Sequence, residues 1–89
     1  MAIFLIVPIA NPHLIERELE TLKNSAKLDF IKLPTSGFAV SYSGTSQELS
    51  NIVGISEGTT GTGVVASIGS YFGRAPTHIW DWMKSRWEA

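Results

Sequence analysis

The sequence predicts a single α+β domain, ordered βαββαβ, with one more helix at its end. Three observations predict it. Ile3 to Val7 is an unbroken apolar run rich in branched residues, the pattern of a strand covered on both faces. Two amphipathic helical segments, each opened by a start signal, alternate with strand-like segments. All three tryptophans, Trp80, Trp82 and Trp87, fall in the last ten residues, in a segment with helical periodicity.

Each element has its own justification. The first strand is Ile3–Val7, and Pro8 interrupts the run. Asn11 and Pro12 then mark a helix start, as N-cap and first helical residue. Leu14, Ile15, Leu19, Leu22 and Ala26 form one stripe, with Glu16, Arg17, Glu20 and Lys23 largely outside it. "KLDFIKL" reads as a short strand and "PTSG" as a turn. "FAVSYSG" alternates, with Phe38, Val40 and Tyr42 on one face and Ala39, Ser41 and Ser43 on the other. These two strands form a hairpin. "TSQE" is a capping box, with Thr45 as N-cap and Glu48 three residues on. Leu49, Ile52 and Val53 give this second helix its apolar side, and Gly54 ends it. "EGTTGTG" is a loop, "VVASI" the last strand and "HIWDWMKSRW" a third helix.

Right-handed crossovers applied to this order give a ferredoxin-like antiparallel sheet, strand order 4-1-3-2, spanning residues 1–89 as one domain. Both main helices then cover one face. The other face needs a cover, and the candidates are the C-terminal helix or a second copy of the protein.

Composition excludes several function classes. The chain is 44% hydrophobic and 17% charged, which is globular rather than disordered. Its net charge is −1 and it has no Lys/Arg block, which argues against extensive binding to duplex nucleic acid. Without cysteine there are no disulfides, Cys-zinc sites or thiol catalysis. "MAIFLIVPIA" lacks a basic leader region and is too short to span a bilayer, so the expectation is a cytoplasmic protein without membrane attachment.

Three segments are candidate sites. "GTTGTG" (Gly58 to Gly63) has glycines, but a phosphate cradle needs a strand before them and a helix after, and here the order is reversed. It reads as a connection. The inferred topology brings the start of the first helix, with His13, close to this loop and to the "PTSG" turn, so Asn11, His13, Thr60 and Thr62 form a possible anion-binding group. The bland alternative is that Asn-Pro-His is a well-made helix start. In "SYFGRAPTHIWDWMKSRW", a helical wheel places Ile79, Trp80, Met83 and Trp87 on the packing arc, with Asp81, Lys84, Ser85 and Glu88 opposite. Trp82 lies at the edge of that arc, four residues before Arg86, a spacing that permits cation–π stacking. Tyr71, Arg74, His78, Trp82 and Arg86 are therefore the candidate partner-binding residues, rich in the types that dominate interfaces. The alternative is that Arg74 ties its turn to the second helix or to a carboxylate.

No catalytic residue is assigned. His13 and His78 fall at opposite ends of the inferred sheet, no His/Asp/Glu spacing resembles a metal site, and no serine is read as a G-x-S-x-G nucleophile. No cofactor or metal is expected.

Across the whole chain the layout resembles the small ferredoxin-like proteins of the Cas2 and VapD type, which implies dimerisation through the sheet. That resemblance also implies a metal-dependent nuclease as an alternative, although the end of the first strand reads "VPIANP" where Cas2-type nucleases carry an aspartate. The ending "SYFGRAPTHIWDWMKSRW" is similar to the ends of small uncharacterised bacterial proteins with "SYYGRA" and a tryptophan-rich helix. The leading expectation is a non-catalytic protein-binding or assembly module. It would act through its sheet face and C-terminal aromatic helix on itself, as a homodimer, or on another protein. A small anionic-ligand sensor is the third reading.

Overall fold

The computed structural model describes residues 2–34, 36–70, 72–74 and 76–87. In chain order the elements are β1 (Ala2–Ala10), α1 (Pro12–Asn24), β2 (Asp29–Lys32), β3 (Phe38–Tyr42), α2 (Ser46–Val53), β4 (Thr62–Ser67) and α3 (Thr77–Trp87). The four strands form one antiparallel sheet in the order β2-β3-β1-β4, which is the predicted 4-1-3-2 sheet read from the other edge. The ferredoxin-like α+β fold with a C-terminal helix is therefore present.

Strand β1 is longer than its apolar run implied. It continues through Pro8, which pairs with Gly63 of β4. Phe4 and Ile6 pair with Val40 and Phe38, so β3 begins two residues short of Pro8. The missing proline N–H thus falls where no strand residue is paired on that side, beside the turn at Gly37. A register shift between Pro8 and Ala10 follows, a bulge that inserts Ile9. Gly63 fits here because a Cβ would meet Val7 O at 2.7 Å.

The even residues of β1, Phe4 and Ile6, join α1 and α2 in the main core. Ile15, Leu19 and Leu22 of α1, Leu49 and Val53 of α2, Phe30, Phe38 and Val40 of the hairpin, and Leu28 and Ile55 in the connections complete it. Phe30 and Phe38 meet edge-on, centroids 6.1 Å apart. Full burial of side chains this size stabilises by about 1.5–3 kcal/mol each. This one layer therefore contributes most of the apolar stabilisation.

Two helix signals behave differently from one another. Thr45 and Glu48 form the expected reciprocal capping box: the Glu48 N–H donates to Thr45 Oγ1 at 3.1 Å and the Thr45 N–H to Glu48 Oε1 at 3.0 Å. Asn11 occupies the N-cap of α1 but makes no side-chain cap bond. It adopts the left-handed conformation, φ 54°, which asparagine tolerates. Helix α1 ends at Asn24, so Ala26 leaves the predicted stripe and takes φ 60° in the turn beyond. Leu14 of that stripe is half-buried.

The odd residues of β1 face the other way, where Ile3 packs with Ile79 and Met83 of α3. Ile31, Leu33, Ile68, Trp80 and Trp82 flank this smaller cluster. The C-terminal helix therefore covers the second face of its own sheet, but only over part of it. No helix among the described residues is long and apolar enough to cross a membrane.

Candidate functional site

The second face divides into a covered part and an open part. Over the hairpin and the start of β1, α3 seals the sheet, leaving Ile3, Ala39 and Ser41 buried. Over the end of β1 and most of β4 it does not. Val7 is 54% exposed, Val64 53% and Ile9 73%. Val7 sits directly opposite Val64, and Leu5 opposite Ala66. These residues make a contiguous aliphatic strip, the kind of exposed apolar patch that marks a contact surface in a soluble protein.

No charged residue precedes Glu16, and none lies between Glu57 and Arg74. Both strands of the open part are therefore free of charge. That is unusual for sheet surface left to water, where alternation normally brings polar side chains outward.

Beside the strip runs an apolar groove of ≈ 370 Å³ between α3 and the sheet. Leu5, Ile68, Phe72, Trp80 and Met83 line it. Phe72 is fully exposed at its rim. The strip and groove share Leu5, so they form one continuous apolar surface.

Helix α3 is held against the sheet by an electrostatic latch. Arg86 Nε donates to Asp29 Oδ2 at 3.0 Å, and Nη2 donates to the same oxygen. Lys23 Nζ approaches Asp29 Oδ1 at 3.6 Å, and the Phe30 N–H donates to Oδ1 at 2.9 Å. Partial burial by itself would raise the Asp29 pKa. The hydrogen bond and charge of Arg86, the Phe30 N–H and the Lys23 charge outweigh it, and the carboxyl is held below its ordinary value of 3.8. The Arg86 guanidinium also stacks over Trp82, 5.2 Å from the ring centroid.

The predicted partner-binding residues are thus not equivalent. Trp82 and Arg86 stack as their spacing implied, but both are half-buried and Arg86 is committed to Asp29. Arg74 and His78 are exposed. Tyr71 lies outside the described residues, as does Glu88 of the polar arc. On the packing arc Ile79 and Met83 are buried and Trp80 half-buried, while Trp87 is 37% exposed. The latch sits on the Trp82 side of the helix, and α3 turns that side inward at the expense of Trp87.

The possible anion-binding residues divide between two shallow depressions. His13 lines one with Pro12, Glu16, Lys32, Ser36 and Gly37, and Lys32 pairs there with Glu16 at 3.2 Å. Thr60 lines another with Leu14, Arg17 and Thr59, and its hydroxyl donates to Val53 O at 2.9 Å. Asn11 and Thr62 are exposed and line neither.

One serine pattern escapes the sequence reading. Gly54-Ile55-Ser56-Glu57-Gly58 matches the spelling G-x-S-x-G, but it follows a helix rather than ending a strand. Ser56 Oγ lies 2.7 Å from Ser50 Oγ, and the next element in the chain is β4 rather than a helix. Among the described residues, no three of His, Asp and Glu gather closely enough to hold a metal ion.

The open apolar strip was missed as a specific site because periodicity shows that β1 is apolar on both faces without showing how far α3 reaches. No family model matches the chain, and no curated protein or solved structure matches it.

Proposed function

We propose that this protein is a non-catalytic assembly module that binds a second copy of itself through the open part of its sheet face and the flank of α3. The observation that supports this reading most strongly is the Leu5, Val7, Ile9, Val64 and Ala66 strip, apolar, contiguous and free of charge. These side chains carry no group that moves a proton, attacks a carbonyl or binds a metal, so the surface suits binding rather than chemistry. A second copy satisfies it because an uncharged patch needs no complementary charge opposite and meets no like-charge repulsion against itself. The adjoining groove and exposed Phe72 extend the surface toward the ~800 Å² per partner of a standard interface.

Light scattering across a size-exclusion peak tests this reading. A mass near twice the 9.7 kDa of one chain at micromolar concentration supports it. A monomer at high micromolar concentration, with no binding partner needed to keep it soluble, contradicts it.

A further inference from the structure

We propose that β4 is the contact strand of this assembly, pairing antiparallel with β4 of a second copy about a two-fold axis at Val65. This deepens the reading of the open face but rests on a different observation, the backbone edge of the sheet.

The two edges of the sheet differ. The β2 edge is four residues long and carries Asp29 and Lys32, the charged residues that blunt an edge against pairing. The β4 edge, Thr62–Ser67, has six residues, no proline and no charge, with two adjacent valines.

The ladder shows which groups point outward. The Ile68 N–H donates to Ile3 O at 3.1 Å, so those opposed residues occupy a hydrogen-bonded position of the β1–β4 ladder. In an antiparallel ladder bonded and non-bonded pairs alternate. With Leu5 opposite Ala66 and Val7 opposite Val64, the groups of Ala66 and Val64 turn inward. Val65 and Ser67 therefore direct their N–H and C=O toward the free edge.

That edge is self-complementary. With Val65 on the two-fold, Val65 meets Val65, and Gly63 meets Ser67 twice. All three residues turn their backbone groups outward, giving about six inter-chain hydrogen bonds. A two-fold normal to the sheet also keeps equivalent faces on the same side. Val64 then lies opposite the second copy's Ala66, and Thr62 opposite its Ile68. The groove lined by Ile68, Phe72 and Trp80 of one copy so comes beside the Val7 and Val64 strip of the other. One symmetric contact thereby pairs the two free edges and sets the two open strips side by side on one face, with exposed Phe72 of each copy next to the strip of the other. A bare strand pair falls short of the ~800 Å² a stable interface needs, so the pairing requires Phe72 of each copy to close over the neighbouring Val64 of the other.

Amide hydrogen exchange resolved by residue, at low and high micromolar protein, tests the pairing. The Val65 and Ser67 amides have no partner across β1 and are expected to slow at least about tenfold at the higher concentration. Ser67→Pro removes only an outward N–H, the one setting in which a strand tolerates proline. It is expected to stay folded by tryptophan fluorescence and to raise the dimer dissociation constant at least about tenfold. If the protein self-associates while both amides exchange freely and Ser67→Pro associates normally, strand pairing is wrong and the open-face reading survives. If wild-type protein is monomeric throughout, both are wrong. Should Ser67→Pro not fold, exchange in the wild type decides.

Discussion

Arg86 in the last turns of α3 donates to Asp29 at the start of β2, 57 residues away, with Nε to Oδ2 at 3.0 Å. This contact, with the stack of Arg86 on Trp82, ties the C-terminal helix to the sheet and sets which side of the helix is buried. Asp29→Asn keeps an acceptor for the Phe30 N–H but removes the charge. The expected cost is about 1–2 kcal/mol, the scale of a charge-assisted bond in a half-buried setting. Urea denaturation should report that loss, and tryptophan emission should shift red as α3 loosens.

Acid should do the same reversibly. The folded-state pKa of Asp29 is depressed below its ordinary 3.8. Its contribution is present above that value, and is lost as pH falls from near 3.8 through the lower folded value. Tryptophan fluorescence, followed from pH 6 downward, should change below about pH 4. In Asp29→Asn that component of the transition should be missing.

The two apolar layers should respond unequally to truncation. Met83→Ala opens the small layer of Ile3, Ile79 and Met83, which has the groove beside it and can relax. A loss of about 2 kcal/mol is expected. Leu19→Ala empties a wholly buried site between α1 and the sheet, with an expected loss of about 3–4 kcal/mol. Chemical denaturation of the two variants gives the comparison directly.

Gly54 ends α2 at φ 88°, and a Cβ there would lie 2.6 Å from Thr59 Oγ1. Gly54→Ala therefore combines backbone strain with a displaced threonine, and should cost about 1 kcal/mol or more. Thermal unfolding checks it. An unchanged midpoint would mean the loop gives way freely.

Much of this architecture was legible in the residues. The apolar run of β1, the Phe38/Val40/Tyr42 alternation and the Thr45/Glu48 capping box each determined an element locally, and together they set the sheet order. What was not legible depended on contacts distant in sequence. A helical wheel placed Trp87 inward because it assumes the hydrophobic arc alone orients the helix, whereas Asp29 pulls Arg86 and Trp82 toward the sheet. Pro8 looked like a strand terminus because its missing N–H matters only where a neighbour is present, and β3 has already ended there. The open strip was hidden for the same kind of reason. A doubly apolar strand announces that its second face needs a cover, but the reach of α3 is a property of the packed molecule.

On the proposed reading, the uncovered strip of β1 and β4 is where two copies associate. Sedimentation equilibrium of wild-type protein beside Val7→Glu tests it most directly, because Val7 is half-exposed and the substitution removes no main-core contact. Self-association of the wild type in the micromolar range is expected, weakened at least about tenfold by a glutamate in the strip. A wild type that remains monomeric to high micromolar concentration, or a variant that associates as tightly as wild type, would contradict it.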